Sequence, residues 1–138
     1  MRMRILPLLV LPAVLLVGCT QTPAEVERAQ VREAGVQEKL AKQLAGLVPG
    51  KPTSCINQFP QKQSSGYGAT ILYRVNRNLV YRSDTAGGCE GIARGDILVT
   101  RTPSGQLCRG DIAQTFDQAS RFPTGSCSFG DFVPYSRP

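Results

Sequence analysis

The sequence predicts a mainly β fold: a small antiparallel curled sheet or barrel with two disulfides, preceded by an N-terminal helical tether. Three observations carry that expectation. Residues 24–48 space their apolar side chains three and four apart, whereas from Lys51 onward apolar residues come in short runs broken by Gly, Pro and Asn. The first spacing lines one face of a helix and the second lines strands. Cys55, Cys89, Cys108 and Cys127 all fall in the strand-rich part, and no further helical stretch alternates with the strands as a parallel sheet would require.

The chain opens with Arg2 and Arg4, then runs from Ile5 to Val17 without a charge and reaches Gly18-Cys19. A basic start, a short apolar run and small residues at its end make a secretory signal peptide over residues 1–18. A membrane-spanning helix needs about 20 apolar residues, and Pro7 and Pro12 would break this shorter run. Leu16-Val17-Gly18-Cys19 resembles the lipobox of bacterial lipoproteins. The resemblance implies cleavage before Cys19, a diacylglycerol thioether on its sulfur and acylation of the new N-terminus, palmitate included. Each buried acyl methylene contributes about 0.8 kcal/mol, so several chains anchor almost irreversibly. Thr20 follows the cysteine rather than an aspartate. The resemblance therefore implies the outer membrane, on its periplasmic side, in preference to the inner membrane.

Without residues 1–18 there is room for one small domain. Losing Arg2 and Arg4 lowers the net charge from +6 to +4, a mild excess that suits an anionic envelope surface without naming a partner. The chain has no histidine. Ser-His-Asp and Cys-His catalysis, histidine-bearing zinc sites and a histidine pH switch are thereby excluded. With Cys19 given to lipid, four cysteines remain, an even number that reads as two disulfides in an exported domain. No C-x-x-C pair occurs to favour a metal site. Of the three pairings, Cys89–Cys108 with Cys55–Cys127 is favoured, because the first closes a loop beside a hairpin and the second joins the first strand to the last.

Residues 19–23 form a lipid-bearing leader. Pro23 suits the first turn of a helix, with Glu25 and Glu27 near its positive end. The stripe of Val26, Ala29, Val36, Leu40, Leu44 and Leu47 predicts a tether over 24–48, about 37 Å long, ended by Pro49-Gly50. Packing on the domain, or pairing with a partner helix, stays open for it. The β-domain occupies 49–138. Ser54–Phe59 is its first candidate strand. Thr70–Val75 and Leu79–Arg82 flank a three-residue loop, Asn76-Arg77-Asn78, with Asn78 suited to the left-handed position. That register sets Val75 opposite Leu79 and Tyr73 opposite Tyr81 on one apolar face, with Arg74 and Arg82 on the other beside Leu72 and Val80. A second hairpin is expected from Asp96–Arg101 and Gln106–Asp111 around Thr102-Pro103-Ser104-Gly105, whose proline and glycine suit a type I turn. Ile112–Phe116 continues it, and Ser126–Val133 is the last strand, stopped by Pro134.

Arg-Gly-Asp occurs twice, at 94–96 and 109–111, each followed by isoleucine. The expected role is structural: glycine permits a bend and aspartate bonds local amides. Ala86-Gly87-Gly88-Cys89-Glu90-Gly91 matches no phosphate-binding glycine pattern and reads as a loop. Asp84, Glu90, Asp96, Asp111, Asp117 and Asp131 are the carboxylates available for acid–base work, a number ordinary for a soluble domain. Arg74, Arg77 and Arg82 form a candidate basic face for lipid head groups or an anionic envelope polymer, with Arg94, Arg101 and Arg109 near in sequence. The tyrosines do not interleave with them as a stacking platform, which argues against nucleic acid.

Ser54-Cys55-Ile56, Gly88-Cys89-Glu90-Gly91-Ile92, Gln106-Leu107-Cys108-Arg109-Gly110-Asp111-Ile112 and Gly125-Ser126-Cys127-Ser128-Phe129-Gly130-Asp131-Phe132-Val133-Pro134 together resemble a family of small uncharacterised proteobacterial envelope proteins with the pattern C-I…C-x-G-L…L-C-x-x-D-x-I…C-x-L-G-x-F-x-P. The resemblance spans about residues 50–135. Ile92 and Phe129 stand where that pattern has leucine, and Ala113 stands where its third block has isoleucine. It implies a four-cysteine β-domain in the envelope and names no catalytic site. The expected function is a membrane-anchored, non-catalytic envelope binding or structural module, needing no cofactor or metal. The alternative is an accessory subunit of an envelope protein complex, engaged through the tether helix or a sheet edge. A carboxylate-dependent hydrolase is the remote alternative.

Overall fold

The structure, a computed structural model, describes residues 21–59 and 63–138. The signal peptide expected over 1–18 and the expected lipidation site, Cys19, lie outside the described residues.

The helix α1 runs from Pro23 to Leu44. Thr22 caps it: the Thr22 hydroxyl accepts from the Glu25 N–H at 3.4 Å and the Glu25 carboxylate accepts from the Thr22 N–H at 2.8 Å. This reciprocal box satisfies amide donors that the first turn leaves unpaired. The helix stops at Gly46, whose φ of 75° is left-handed, rather than at the predicted Pro49-Gly50. Its two halves have different fates. Residues 23–34 are exposed throughout, whereas Leu40 is 3% exposed. Leu40 packs with Leu72 and Val80, and Leu44, Leu47, Tyr67 and Tyr135 surround them. The predicted tether is therefore free only at its start, and its C-terminal half belongs to the domain.

Among the described residues nine strands follow: β1 (Val48–Pro49), β2 (Cys55–Asn57), β3 (Gln63–Tyr67), β4 (Thr70–Asn76), β5 (Leu79–Thr85), β6 (Ile97–Thr100), β7 (Gln106–Cys108), β8 (Ile112–Phe116) and β9 (Pro123–Ser136). A short 3-10 helix, Glu90–Arg94, separates β5 from β6. The main sheet is antiparallel in the order β3-β4-β5-β9-β8-β6, with β1 also on β9, and it curls into an open half-barrel. The mainly β fold with one helix and two disulfides is as the sequence predicts.

The first hairpin keeps the expected partners Tyr73 and Tyr81. Its tip differs. Val75 is bulged, so that Asn76 rather than Val75 faces Leu79, and the loop is two residues long. Arg121 is the sole described non-glycine residue with positive φ, so Asn78 is not left-handed; its N–H instead donates to Asn76 Oδ1 at 2.8 Å. The second predicted hairpin does not form. β6 pairs with β8, and β7 leaves the sheet to pair with β2. The β6–β8 register sets Leu98 opposite Thr115 and Thr100 opposite Ala113. Thr115 and Ala113 are fully buried, so β8 gives β6 a buried face to join. The turn at 103–105 survives, with Gly105 at φ 68°, but it lies within an excursion between the paired strands.

Strand β9 runs through Pro134 to Ser136 and organises the core. Its start pairs with β8 and its end with β5. From Ser83 to Thr85, two steps along β5 match three along β9, from Phe132 to Phe129. That bulge switches side-chain parity, so Cys127, Phe129 and Phe132 all point inward where strict alternation would expel the last. Tyr73, Phe129 and Phe132 then meet as tilted rings with centroids 5.7–6.3 Å apart.

The disulfides are Cys55–Cys108 and Cys89–Cys127, with Cα atoms 4.0 and 5.5 Å apart. This corrects the favoured pairing of Cys89–Cys108 with Cys55–Cys127. The cause lies in the strands. Cys55 and Cys108 are direct register partners once β7 pairs with β2, while Cys127 faces inward against the loop that carries Cys89.

Candidate functional site

Strand alternation sends Leu72, Arg74, Val80 and Arg82 to the helix side of the sheet and Tyr73 to the other. On the helix side, the arginines sit at the rim of the Leu40 cluster. The Arg74 guanidinium donates to Gln43 Oε1 of α1 at 3.0 Å. Arg82 grips Asp84 with two hydrogen bonds of 3.0 and 3.1 Å. Burial opposes the Arg82 charge, but Asp84 and the Tyr135 hydroxyl outweigh it and hold the guanidinium above its usual pKa. Arg77 is exposed at the hairpin tip. Of the three arginines on the candidate basic face, two are thus engaged in holding the fold.

The six carboxylates are dispersed among structural roles. Asp84 pairs with Arg82 and accepts from Thr70 Oγ1, Glu90 accepts from the Gly88 N–H, and Asp111 accepts from the Cys108 N–H. Asp96 accepts from Thr124 Oγ1 at 2.6 Å, Asp117 accepts from the Ala119 and Ser120 N–H groups, and Asp131 pairs with Arg109. Hydrogen bonds from Ser120 hold the Asp117 carboxyl below its usual pKa. Both Arg-Gly-Asp glycines are left-handed, Gly95 at φ 101° and Gly110 at φ 87°, and each triplet leads into one of the paired strands β6 and β8. Among the described residues, no three metal-binding side chains cluster. Nor is any described helix long and apolar enough to cross a membrane.

The inner side carries a cleft of about 280 Å³. The two outermost strands of the curled sheet both reach it, β3 through Ser64 and β6 through Leu98 and Thr100. Ile56, Asn57, Gln58 and Phe59 come from β2 and the residues just after it, Leu107 from β7, and Tyr73 from β4. Gln58 Nε2 donates to Thr100 Oγ1 at 3.1 Å, and the Gln58 N–H donates to the Gly105 carbonyl at 3.0 Å, which ties β2 to the β6–β7 excursion. None of these lining side chains is charged.

Tyr73 distinguishes this cleft from the shallower grooves elsewhere. The residue is 8% exposed, and its hydroxyl is buried without a hydrogen-bond partner among the described residues. Burial pushes its phenol well above the ordinary tyrosine value. Strand alternation in the sequence puts Tyr73 on the apolar face and does not mark it as a site residue. Only the cleft, assembled from five strands and the residues just after β2, puts the side chain that carries this buried hydroxyl into a common wall with them. The polar run Gln63–Tyr67 has no strand pattern, so β3 is not among the strands the sequence predicts. The capping box of Thr22 and Glu25 is likewise not among the sequence expectations, although a threonine with a glutamate three residues later is its signal.

Fold and cleft together define a small disulfide-bonded half-barrel with a cleft beside its outermost strands that no charged side chain lines among the described residues. No family model matches the chain, and no curated protein or solved structure matches it.

Proposed function

We propose that the protein is an outer-membrane lipoprotein, anchored through Cys19 on the periplasmic side, whose β-domain is a non-catalytic binding and structural module. The carrying observation is the union of α1 with the β-domain. The helix starts at Pro23, four positions after Cys19, and ends packed on β4 and β5 through Leu40. A lipid on Cys19 would sit near one end of a helix about 33 Å long whose other end is fixed in the sheet. Such a strut displays the domain at a set distance from the bilayer. The structural engagement of all six carboxylates and the lack of histidine support a non-catalytic role. The resemblance to small envelope proteins of proteobacteria supports the same address.

The test is fractionation. The wild-type chain should incorporate labelled palmitate and float with outer-membrane vesicles, and Cys19→Ser should appear in the soluble periplasmic fraction. Membrane retention of Cys19→Ser overturns the anchor.

The exposed first half of α1 favours a second reading, an accessory subunit of an envelope complex. Val26 and Val31 are 38% and 68% exposed there. Val31→Asp should then abolish co-purification of a stoichiometric partner while leaving the domain folded. An anionic envelope polymer remains the other partner class, and Arg77→Ala should weaken retention on it.

A further inference from the structure

We propose that the cleft binds a small uncharged ligand with an apolar body and a carbonyl-type acceptor, which the Tyr73 hydroxyl holds by donating a hydrogen bond. The proposal rests on reading the domain as a binding module and specifies what it binds.

A buried hydroxyl without a partner is destabilising, and folded proteins keep few of them. A ligand acceptor would remove that cost at Tyr73. Because burial disfavours the phenolate, the group stays a protonated donor across the physiological range. The walls argue for neutrality. Among the described residues, no arginine or lysine lines this cleft, so a charged ligand would lose its hydration with no countercharge from them to offset it. Ile56, Leu98 and Leu107 supply apolar contact, and Phe59, 75% exposed, adds an aromatic ring. Gln58 is already bonded to Thr100, which leaves Ser64 and Tyr73 as hydroxyls available to orient a ligand. The volume lies near the low end of the roughly 300–1,000 Å³ common for small-molecule sites.

The experiment titrates the full chain, labelled on tyrosine rings and on isoleucine and leucine methyls, with acetophenone and separately with benzoate. The two probes are similar in size and differ in charge. Acetophenone should shift Tyr73, Leu98 and Leu107 saturably while Ile112, on the far face of β8, stays put. Benzoate should bind at least about tenfold more weakly. Tyr73→Phe should weaken acetophenone about five- to tenfold, the effect of one hydrogen bond. Ser64→Phe, which fills the cleft from the β3 wall, should abolish the shifts. Absence of saturable shifts, equal binding of benzoate, or undiminished binding to Tyr73→Phe would overturn the proposal. Tyr73→Phe should also unfold at an unchanged or higher temperature, since it removes no hydrogen bond within the protein. A clear loss of stability would reveal a partner for the hydroxyl and defeat the inference. Fractionation of Cys19→Ser decides the anchor independently of every one of these outcomes.

Discussion

Gly88 and Gly125 show how a single missing Cβ sets the fold around a disulfide. The loop before the 3-10 helix crosses β9 so closely that a Cβ on Gly88 would collide with the Ser126 carbonyl, and one on Gly125 with the Gly88 carbonyl. Gly88 also holds φ at 92°. This contact lets Cys89 reach Cys127. Gly95, with φ 101° but open space around it, carries the conformational demand alone. Gly88→Ala is therefore expected to cost about 2–4 kcal/mol and Gly95→Ala about 1 kcal/mol, measured by urea unfolding. Equal costs would mean that the close crossing is unimportant. The glycine-rich stretch was readable as a loop from composition. Its role as a crossing was not, because the atoms it approaches lie about 38 residues further along the chain.

The helix is two elements in one. Leu40, Leu44 and Leu47 recur at the spacing that makes a stripe, and the sheet supplies Leu72 and Val80 to cover it. Leu40→Ala should destabilise the protein by about 2–4 kcal/mol and raise amide exchange in residues 36–44 and in β4 and β5. A free tether would show neither effect. At the other end, hydrogen bonds from Thr22 hold the Glu25 carboxyl below its ordinary pKa. A depressed folded value means stabilisation that is complete above the ordinary glutamate range and lost as pH falls through the lowered value. Acidification should therefore fray the first turn, seen as faster exchange at the Glu25 and Val26 amides, and Glu25→Gln should remove that pH dependence. The periodicity of α1 was plain in the sequence, but a stripe alone does not tell whether a solvent-facing tether or a packed face carries it. Tertiary contacts assign the first role to residues 23–34 and the second to the turns around Leu40.

The two disulfides interleave, spanning 53 and 38 residues, and so bind the small β2–β7 sheet and the β9 core into one cooperative unit. Loop closure alone gives each about 4 kcal/mol of stabilisation by restricting the unfolded chain. Non-reducing peptide mapping should recover Cys55–Cys108 and Cys89–Cys127; a Cys89–Cys108 peptide would contradict the fold. Removing Cys55 and Cys108 together should also weaken the cleft, because β2 supplies one of its walls.

Local chemistry determined most of the elements of this protein. Period and propensity place the helix, the Tyr73–Tyr81 hairpin, the turn at 103–105 and the even set of four cysteines, since each depends on residues near one another in the chain. The pairing of β6 with β8, the departure of β7 to β2, the disulfide connectivity and the parity switch in β9 were decided by tertiary structure. Each is a choice among distant partners with similar local fitness, settled by which arrangement buries Ala113, Thr115, Phe129 and Phe132 together. The cleft over Tyr73 belongs to that second group, because no short stretch of sequence contains it.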